Sequence, residues 1–203
     1  MININRSPYK ASLTREQFLF HEMRTTAKLM TGGLDENEIA HKIANDNLFQ
    51  YPTEKSVKRM VRLCIDRLKG LNNDTLVEAI VHESFSTAKQ ICLYAMMKHS
   101  RLVWDFMVKV IGGKFRENDL TFKRMDLNVF FMNLQEQDDN VATWSDSTIQ
   151  KIKQVLVKIL VENDYLESVK ATRLQPIFIS SVLKNAIQLS GDKMALPAFN
   201  CFE

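Results

Sequence analysis

The chain has 203 residues, of which 45% are hydrophobic and 25% charged, enough for a folded protein with a sizeable core. Six glycines and four prolines leave room for long helices and argue against an all-β fold. The net charge of +3 is too small to indicate a partner. No stretch approaches the roughly 18 apolar residues of a membrane span, and the N-terminus lacks the apolar core of a signal peptide. We therefore expect a soluble, cytoplasmic protein with no membrane partner.

No residue pattern in the chain is typical of catalysis or of a cofactor site. Phosphate-binding glycine loops, the HExxH zinc motif and the GxSxG nucleophile motif are all absent. None of the four histidines lies at a helical spacing from another histidine or a cysteine, so no metal site is predicted. Cys64 and Cys92 fall within apolar helical patterns and are predicted to be buried, reduced thiols. We expect no enzymatic activity, no cofactor and no small-molecule substrate.

Capped segments with helical periodicity predict six helices in the first half of the chain. They follow an irregular arm, residues 1–13, in which Pro8 and Tyr9 are a candidate anchor. The predicted helices span residues 14–31, 35–45, 53–69, 74–83, 86–98 and 101–111. Gly112 and Gly113 precede a polar stretch and mark the predicted boundary between an N-terminal lobe, residues 1–113, and a C-terminal lobe, residues 114–203.

The second half of the chain is also predicted to be helical, with one short exception. Helices are expected over residues 126–135, 145–163 and 180–190. The runs YLESV and RLQPIFI, joined by KAT, predict a small β-hairpin within residues 165–179, with Pro176 at an edge or end. The predicted fold class is all-α, with two helical lobes and at most one short β-hairpin.

Residues 34–69 are the first of two helix-turn-helix candidates, with a short capped helix, a connection and a longer basic helix. The second helix carries six basic residues, of which the first four share the face opposite the apolar stripe: Lys55, Lys58, Arg59, Arg62, Arg67 and Lys69. Such a helix fits the DNA major groove, and its cations can neutralise phosphates. The alternative is a solvated face that pairs with neighbouring acids. The connection LFQYP is also longer than the usual DNA-binding turn.

Residues 126–179 are the second candidate, because they follow the order of a winged helix, in which the hairpin is the wing. Lys151, Gln154 and Lys158 share the face of the long helix opposite its core stripe. Lys170 and Arg173 would lie near the tip of the wing and, with the helix residues, could contact phosphates. The alternative is a helical lobe with a hairpin that has no role in DNA binding.

Several sequence patterns occur in a fixed order along most of the chain. SPYKASLTREQF comes first, followed by GGLDENEIAHKIANDNLFQYPTEKSVKRMVRLCIDRLKGL, LVWDFMV, DLNVFFMNL and VATWSDSTIQKIKQVLVKILVENDYLE. In combination they resemble the BrxA family of BREX phage-exclusion systems. The resemblance implies a small accessory protein of a defence system whose methyltransferase and ATPase are separate chains. It also implies an all-helical fold with some likeness to the antitermination factor NusB, and an ability to bind DNA.

The basic helices and the resemblance together predict a non-enzymatic protein that binds double-stranded DNA in phage defence. The candidate contact residues are Lys55, Lys58, Arg59, Arg62, Lys151, Gln154 and Lys158. The alternative is a protein-interaction adaptor that docks other BREX components such as the methyltransferase, and RNA binding in the manner of NusB ranks below both. Exposed Leu, Met or aromatic patches would favour the adaptor, whereas a continuous basic strip would favour nucleic acid.

Overall fold

The computed structural model describes residues 8–202 and is mainly helical, which confirms the predicted fold class. Helices make up 69% of the structure, and the described residues contain 11 α-helices and no strand or sheet. This part of the chain forms two compact units, one of residues 8–17 with 100–202 and one of residues 18–99. No helix between residues 8 and 202 is long and apolar enough to cross a membrane.

Five helices build the unit of residues 18–99. They are α1 (Phe20–Thr31), α2 (Glu36–Asn45), α3 (Glu54–Gly70), α4 (Asp74–His82) and α5 (Phe85–His99). A capping box begins α2, because the Asp35 carboxylate accepts from the backbone N–H of Glu38 and the Asp35 N–H donates to the Glu38 carboxylate. Thr53 and Asn73 cap α3 and α4 with single side-chain hydrogen bonds.

The first helix begins later than the sequence predicts. Residues Ala11–Thr14 form a single 3-10 turn, and α1 starts only at Phe20. Leu19 lies between them in the left-handed conformation, with φ 58°, which interrupts any continuous helix from Thr14. The first seven residues of the predicted arm lie outside the described residues.

The apolar stripe of α3 is buried as predicted. Its members pack into the interior of the unit: Val57, Met60, Val61, Cys64, Ile65 and Leu68. Arg67, counted with the basic residues of this helix in the sequence, belongs to the same buried side and is only 1% exposed. Its guanidinium donates to the backbone carbonyl of Phe18 at 3.1 Å. Arg67 is therefore part of the core and not of the solvent-facing surface.

The other unit contains the remaining helices. They are the 3-10 helix Ala11–Thr14, α6 (Arg101–Asp105), a π-helix (Phe106–Ile111), α7 (Gly112–Arg116), α8 (Arg124–Gln137), α9 (Asp139–Ala142), α10 (Asp146–Glu162), α11 (Ser181–Ser190) and a 3-10 helix (Lys193–Phe199). The stripe of α10 predicted to face the core is buried at Ile149, Ile152, Val155, Leu156, Ile159 and Leu160. Val129 of α8, by contrast, is exposed.

Gly112 and Gly113 do not interrupt the chain, because both lie where the π-helix continues directly into α7. The two units divide instead between residues 17 and 18 and between residues 99 and 100. Gly112 is the point at which the C-terminal 3-10 helix approaches closely. A Cβ atom at this position would lie 2.9 Å from Pro197 Cβ and 3.1 Å from the backbone nitrogen of Ala198. The glycine therefore permits close backbone packing.

The predicted β-hairpin of residues 165–179 is wrong. These residues form turns and extended coil, and the backbone of Thr172 and Leu174 bonds to residues 120–122 instead of to a second strand. One isolated antiparallel bridge joins Thr121 and Arg173. Pro176 has no N–H to donate and lies where the second strand would need one. No wing therefore follows α10, and the winged-helix prediction fails with it.

Asp105 is a buried carboxylate that holds the N-terminal segment against α6 and the π-helix. It accepts a short hydrogen bond from the Tyr9 hydroxyl and lies 3.2 Å from the Lys109 ammonium. The Arg101 guanidinium lies 4.0 Å from the centre of the Tyr9 ring and 3.8 Å from Asp105. Asn140 donates to the Tyr9 carbonyl at 2.8 Å. Tyr9 is thus the anchor that the sequence suggested.

We expect Gly112→Ala to destabilise the protein and Gly113→Ala to leave it folded and slightly more stable. The new methyl group at residue 112 meets the backbone around Pro197, and overpacking of this kind costs about 1–3 kcal/mol. A Cβ atom at Gly113 meets nothing within 4 Å, and alanine favours a helix over glycine by roughly 0.5–1 kcal/mol. Denaturant unfolding of the two variants measures both effects. Equal stabilities would show that the close approach at Gly112 is unimportant.

We expect only one of the three cysteines to react with a thiol reagent in the native protein. Cys64 and Cys92 are buried, and burial raises the pKa of the Cys64 thiol to about 12 and that of Cys92 further. A raised pKa keeps both thiols protonated at pH 8, and the thiolate is the reactive form. Cys201 is partly exposed. Native Cys201→Ser protein should therefore not be labelled until denaturant is added, and rapid native labelling of that variant would contradict the burial.

Candidate nucleic-acid interface

The first turns of α3 present a basic surface, as the sequence predicts. Burial of the apolar stripe orients the helix, and four side chains on the opposite side are exposed: Lys55, Lys58, Arg59 and Arg62. Their spacing of three, four and seven residues places them on one face. We call these four residues the α3 basic face. It lies wholly within the unit of residues 18–99.

Not all of this charge is available to a ligand. Glu54 lies one turn before Lys58, and its carboxylate is 2.6 Å from the Lys58 ammonium. The hydrogen bond and the charge of Lys58 lower the pKa of Glu54, so this carboxylate remains ionised. Glu54 is a counter-charge that the predicted basic face did not include. The spacing of four residues, with Glu before Lys, was the signal that could have revealed it.

Three cations of the α3 basic face remain without such a counter-charge. Within the described chain, Lys55, Arg59 and Arg62 form no ion pair with a carboxylate. Asp66 follows on the same side of the helix, and Lys69 pairs with Glu36 of α2. The excess of positive charge is therefore confined to residues 55–62, near the N-terminal end of α3.

The connection between α2 and α3 is longer than a DNA-binding turn. It includes two residues in the left-handed region, Asn47 with φ 45° and Gln50 with φ 54°. Phe49 is buried, and the Tyr51 hydroxyl donates to Glu22 of α1 at 2.6 Å. Burial and the hydrogen bond to Glu22 raise the pKa of Tyr51, so the hydroxyl remains a donor. These contacts hold the start of α3 against its own unit.

The second candidate surface, on α10, is weaker than the first. Lys151, Gln154 and Lys158 are exposed on one side of the helix, as predicted. However, Lys158 donates to Gln17 at 2.7 Å and lies 3.7 Å from the Glu162 carboxylate. Of the predicted residues on α10, only Lys151 is a cation without a carboxylate partner among the described residues.

Other kinds of functional site have little support in the described part of the chain. Between residues 8 and 202, no three His, Cys, Asp or Glu side chains come close enough to hold a metal ion. Asp138 has a structural role, because its carboxylate caps α9 by accepting from the Val141 N–H.

The fold and these surfaces define an all-α protein of two compact helical units, one of which carries an exposed basic helix. The BrxA family profile matches residues 7–191. The chain therefore belongs to the BrxA family of BREX phage-defence systems, as the sequence resemblance suggested.

Individual relatives agree with this assignment. The chain is 36% identical over 170 residues to the BREX protein BrxA of Bacillus cereus strain H3081.97, with 84% of each protein covered. It is 26% identical over 188 residues to the BREX protein BrxA of Paramagnetospirillum magneticum strain AMB-1, with 93% of this chain and 94% of the relative covered. A crystal structure of an uncharacterized protein from Magnetospirillum magneticum superimposes with a TM-score of 0.80 at 25% identity, covering 95% of this chain and 98% of that one.

Proposed function

We propose that the protein is a non-enzymatic accessory factor that binds double-stranded DNA through the α3 basic face. The observation that carries this proposal is the presence of four exposed cations on one face of a well-anchored helix. Three of them have no carboxylate partner among the described residues. Cations without an internal partner can neutralise the phosphates of DNA, and the counterions condensed on the DNA are then released.

The form of the surface favours duplex DNA over a small anion. The four side chains span two helical turns, a length of about 10 Å at 1.5 Å per residue, so they can reach several phosphates along one groove. The DNA major groove is wide enough to admit a helix. Phosphate contacts orient a protein on DNA without reading the bases, so we propose binding with little sequence preference. A DNA partner implies a cytoplasmic location, which stays a prediction.

The first test replaces Lys58, Arg59 and Arg62 together by alanine and measures binding to duplex DNA at several salt concentrations. If four to six phosphates are neutralised, log affinity should fall with log salt at a slope of about −3.5 to −5.5. The triple variant should bind more weakly and flatten this slope by about 2–3. The loss should be similar for unrelated duplexes, because phosphate contacts carry no base information.

Two further variants make the test specific to this surface. Glu54→Gln removes the carboxylate that neutralises Lys58 and should strengthen duplex binding, the opposite direction to the triple variant. A second variant, Lys151→Ala with Lys158→Ala, examines the face of α10. All of these side chains are exposed, so circular dichroism should show unchanged helix content. Unchanged affinity and salt slope in a folded triple variant would exclude the α3 basic face, and a parallel RNA probe would show whether RNA is preferred.

A second candidate function is an adaptor that docks another BREX component such as the methyltransferase. The observation that favours it is an apolar stripe on the outer side of α8, in the unit of residues 100–202. Met125 is 63% exposed and Met132 is 51% exposed, and Val129 lies between them. Their spacing of four and three residues aligns them on one face. Large exposed apolar side chains that line up in this way are typical of protein contact sites.

The adaptor function predicts that this stripe governs an interaction with the methyltransferase of the same system. Changing Met125 and Met132 together to Gln should weaken co-purification of the two proteins and leave duplex DNA binding unchanged. The α3 triple variant is the matched control, because it should lose DNA binding and keep the protein contact. Co-purification that survives the double Met variant at full strength would rule out α8 as the docking face.

A further inference from the structure

A pocket of about 300 Å³ lies beside α1 in the unit of residues 18–99. It shares no residue with the α3 basic face. Its walls are formed by five residues, His21, Arg24, Thr25, Lys28 and Val81. The first four lie at spacings of three, four and seven residues on one face of α1, and Val81 belongs to the end of α4. Two cations, an imidazole and a hydroxyl therefore line one small concavity.

The charge of this pocket is not neutralised within the described chain. Among residues 8–202, His21, Arg24 and Lys28 form no ion pair with a carboxylate. Arg24 is held in place, because its guanidinium donates to the Val81 carbonyl at 3.1 Å. A guanidinium held in place, an exposed ammonium and two further donors are groups that can bind phosphate oxygens.

An aromatic ring extends this pocket. Phe85, the first residue of α5, is 66% exposed although it is fully apolar. The Arg24 guanidinium lies 4.3 Å from the centre of the Phe85 ring, and Phe20 contacts the ring from another side with centroids 5.9 Å apart. These contacts fix the ring and leave most of it open to solvent. An open aromatic ring next to phosphate-binding cations is the arrangement on which unpaired nucleic-acid bases stack.

We propose that this pocket binds a nucleotide, with the phosphate held by Arg24 and Lys28 and an unpaired base stacked on Phe85. The ligand chemistry is a phosphate joined to a planar base, presented either by a single-stranded nucleic acid or by a free nucleotide. Duplex DNA does not satisfy it, because its bases are stacked on one another. The pocket is thus a second site, with a different preference from the proposed duplex-binding face.

The test measures binding of the full-length protein to a fluorescent oligothymidylate of about 15 nucleotides, a length that covers a typical single-strand site. Phe85→Leu keeps an apolar side chain against Phe20 but removes the ring, and it should weaken binding about tenfold. Phe85→Tyr keeps a ring that can stack and should restore binding. His21→Ala combined with Lys28→Ala should also weaken binding and flatten the salt slope by about 0.7–1.4.

Matched controls separate this site from the proposed duplex site. Lys42 is an exposed lysine of the same unit that pairs with Asp46, so Lys42→Ala should change oligothymidylate affinity by less than about twofold. The pocket variants should bind duplex DNA normally, and the α3 triple variant should still bind the oligothymidylate. If the α3 variant loses the single strand while the Phe85 and Lys28 variants keep it, the pocket proposal is overturned and duplex binding is unaffected.

Competition identifies the source of the nucleotide. If thymidine monophosphate displaces the labelled strand, the pocket binds nucleotides and a free nucleotide is a sufficient ligand. If only unlabelled single strand displaces it, the pocket binds nucleotides that belong to a nucleic acid. Inorganic phosphate that competes as well as thymidine monophosphate would show that stacking contributes nothing. A polyglutamate peptide that competes as well as the single strand would identify an acidic-peptide surface. Either of these last two results, or no oligothymidylate binding by the unmodified protein, would overturn the proposal.

Discussion

Burial of one side of α3 is the constraint on which the candidate interface depends. The helix can bury Val57, Met60 and Cys64 only in one orientation, and that orientation turns Lys55 and Arg59 to solvent. Each of the larger apolar side chains contributes about 1.5–3 kcal/mol when fully buried, far more than an exposed ion pair. The core therefore decides where the charges lie, and the cations of α3 need not stabilise the fold to be held in place.

The same constraint explains what could be predicted from the sequence. Long helices with an apolar stripe, such as α3 and α10, are evident because their periodicity extends over four turns and a capping residue marks each start. Arg67 shows the limit of this reasoning. It lies seven residues after Met60 and three after Cys64, so the periodicity placed it on the buried side. Its charge suggested the surface, and the Phe18 carbonyl to which it donates cannot be identified from helical spacing.

The predictions that failed depend on contacts between distant parts of the chain. Residues 172–174 form backbone hydrogen bonds with residues 120–122, and no sequence pattern near residue 172 indicates that partner. Gly112 precedes a second glycine, which is a local pattern typical of a domain boundary. In the structure, however, the missing side chain of Gly112 allows the backbone at Pro197 to pack closely against it. The pocket beside α1 combines a helical spacing visible in the sequence with Val81, which only the packing of α4 brings to it. Local propensity therefore predicts the helices, while tertiary packing determines the concave surfaces between them.

The distribution of charge, and not its total, distinguishes the unit of residues 18–99. The unit contains eleven Lys and Arg and ten Asp and Glu, so it is almost neutral. Several acids are committed to internal pairs, such as Asp46 with Lys42 and Glu36 with Lys69, and Glu38 completes a helix cap. Cations without a carboxylate partner among the described residues lie at two places, the α3 basic face and the pocket beside α1. At physiological salt a charge acts over only about 8 Å, so a nearly neutral unit can still attract phosphate at each of these places separately.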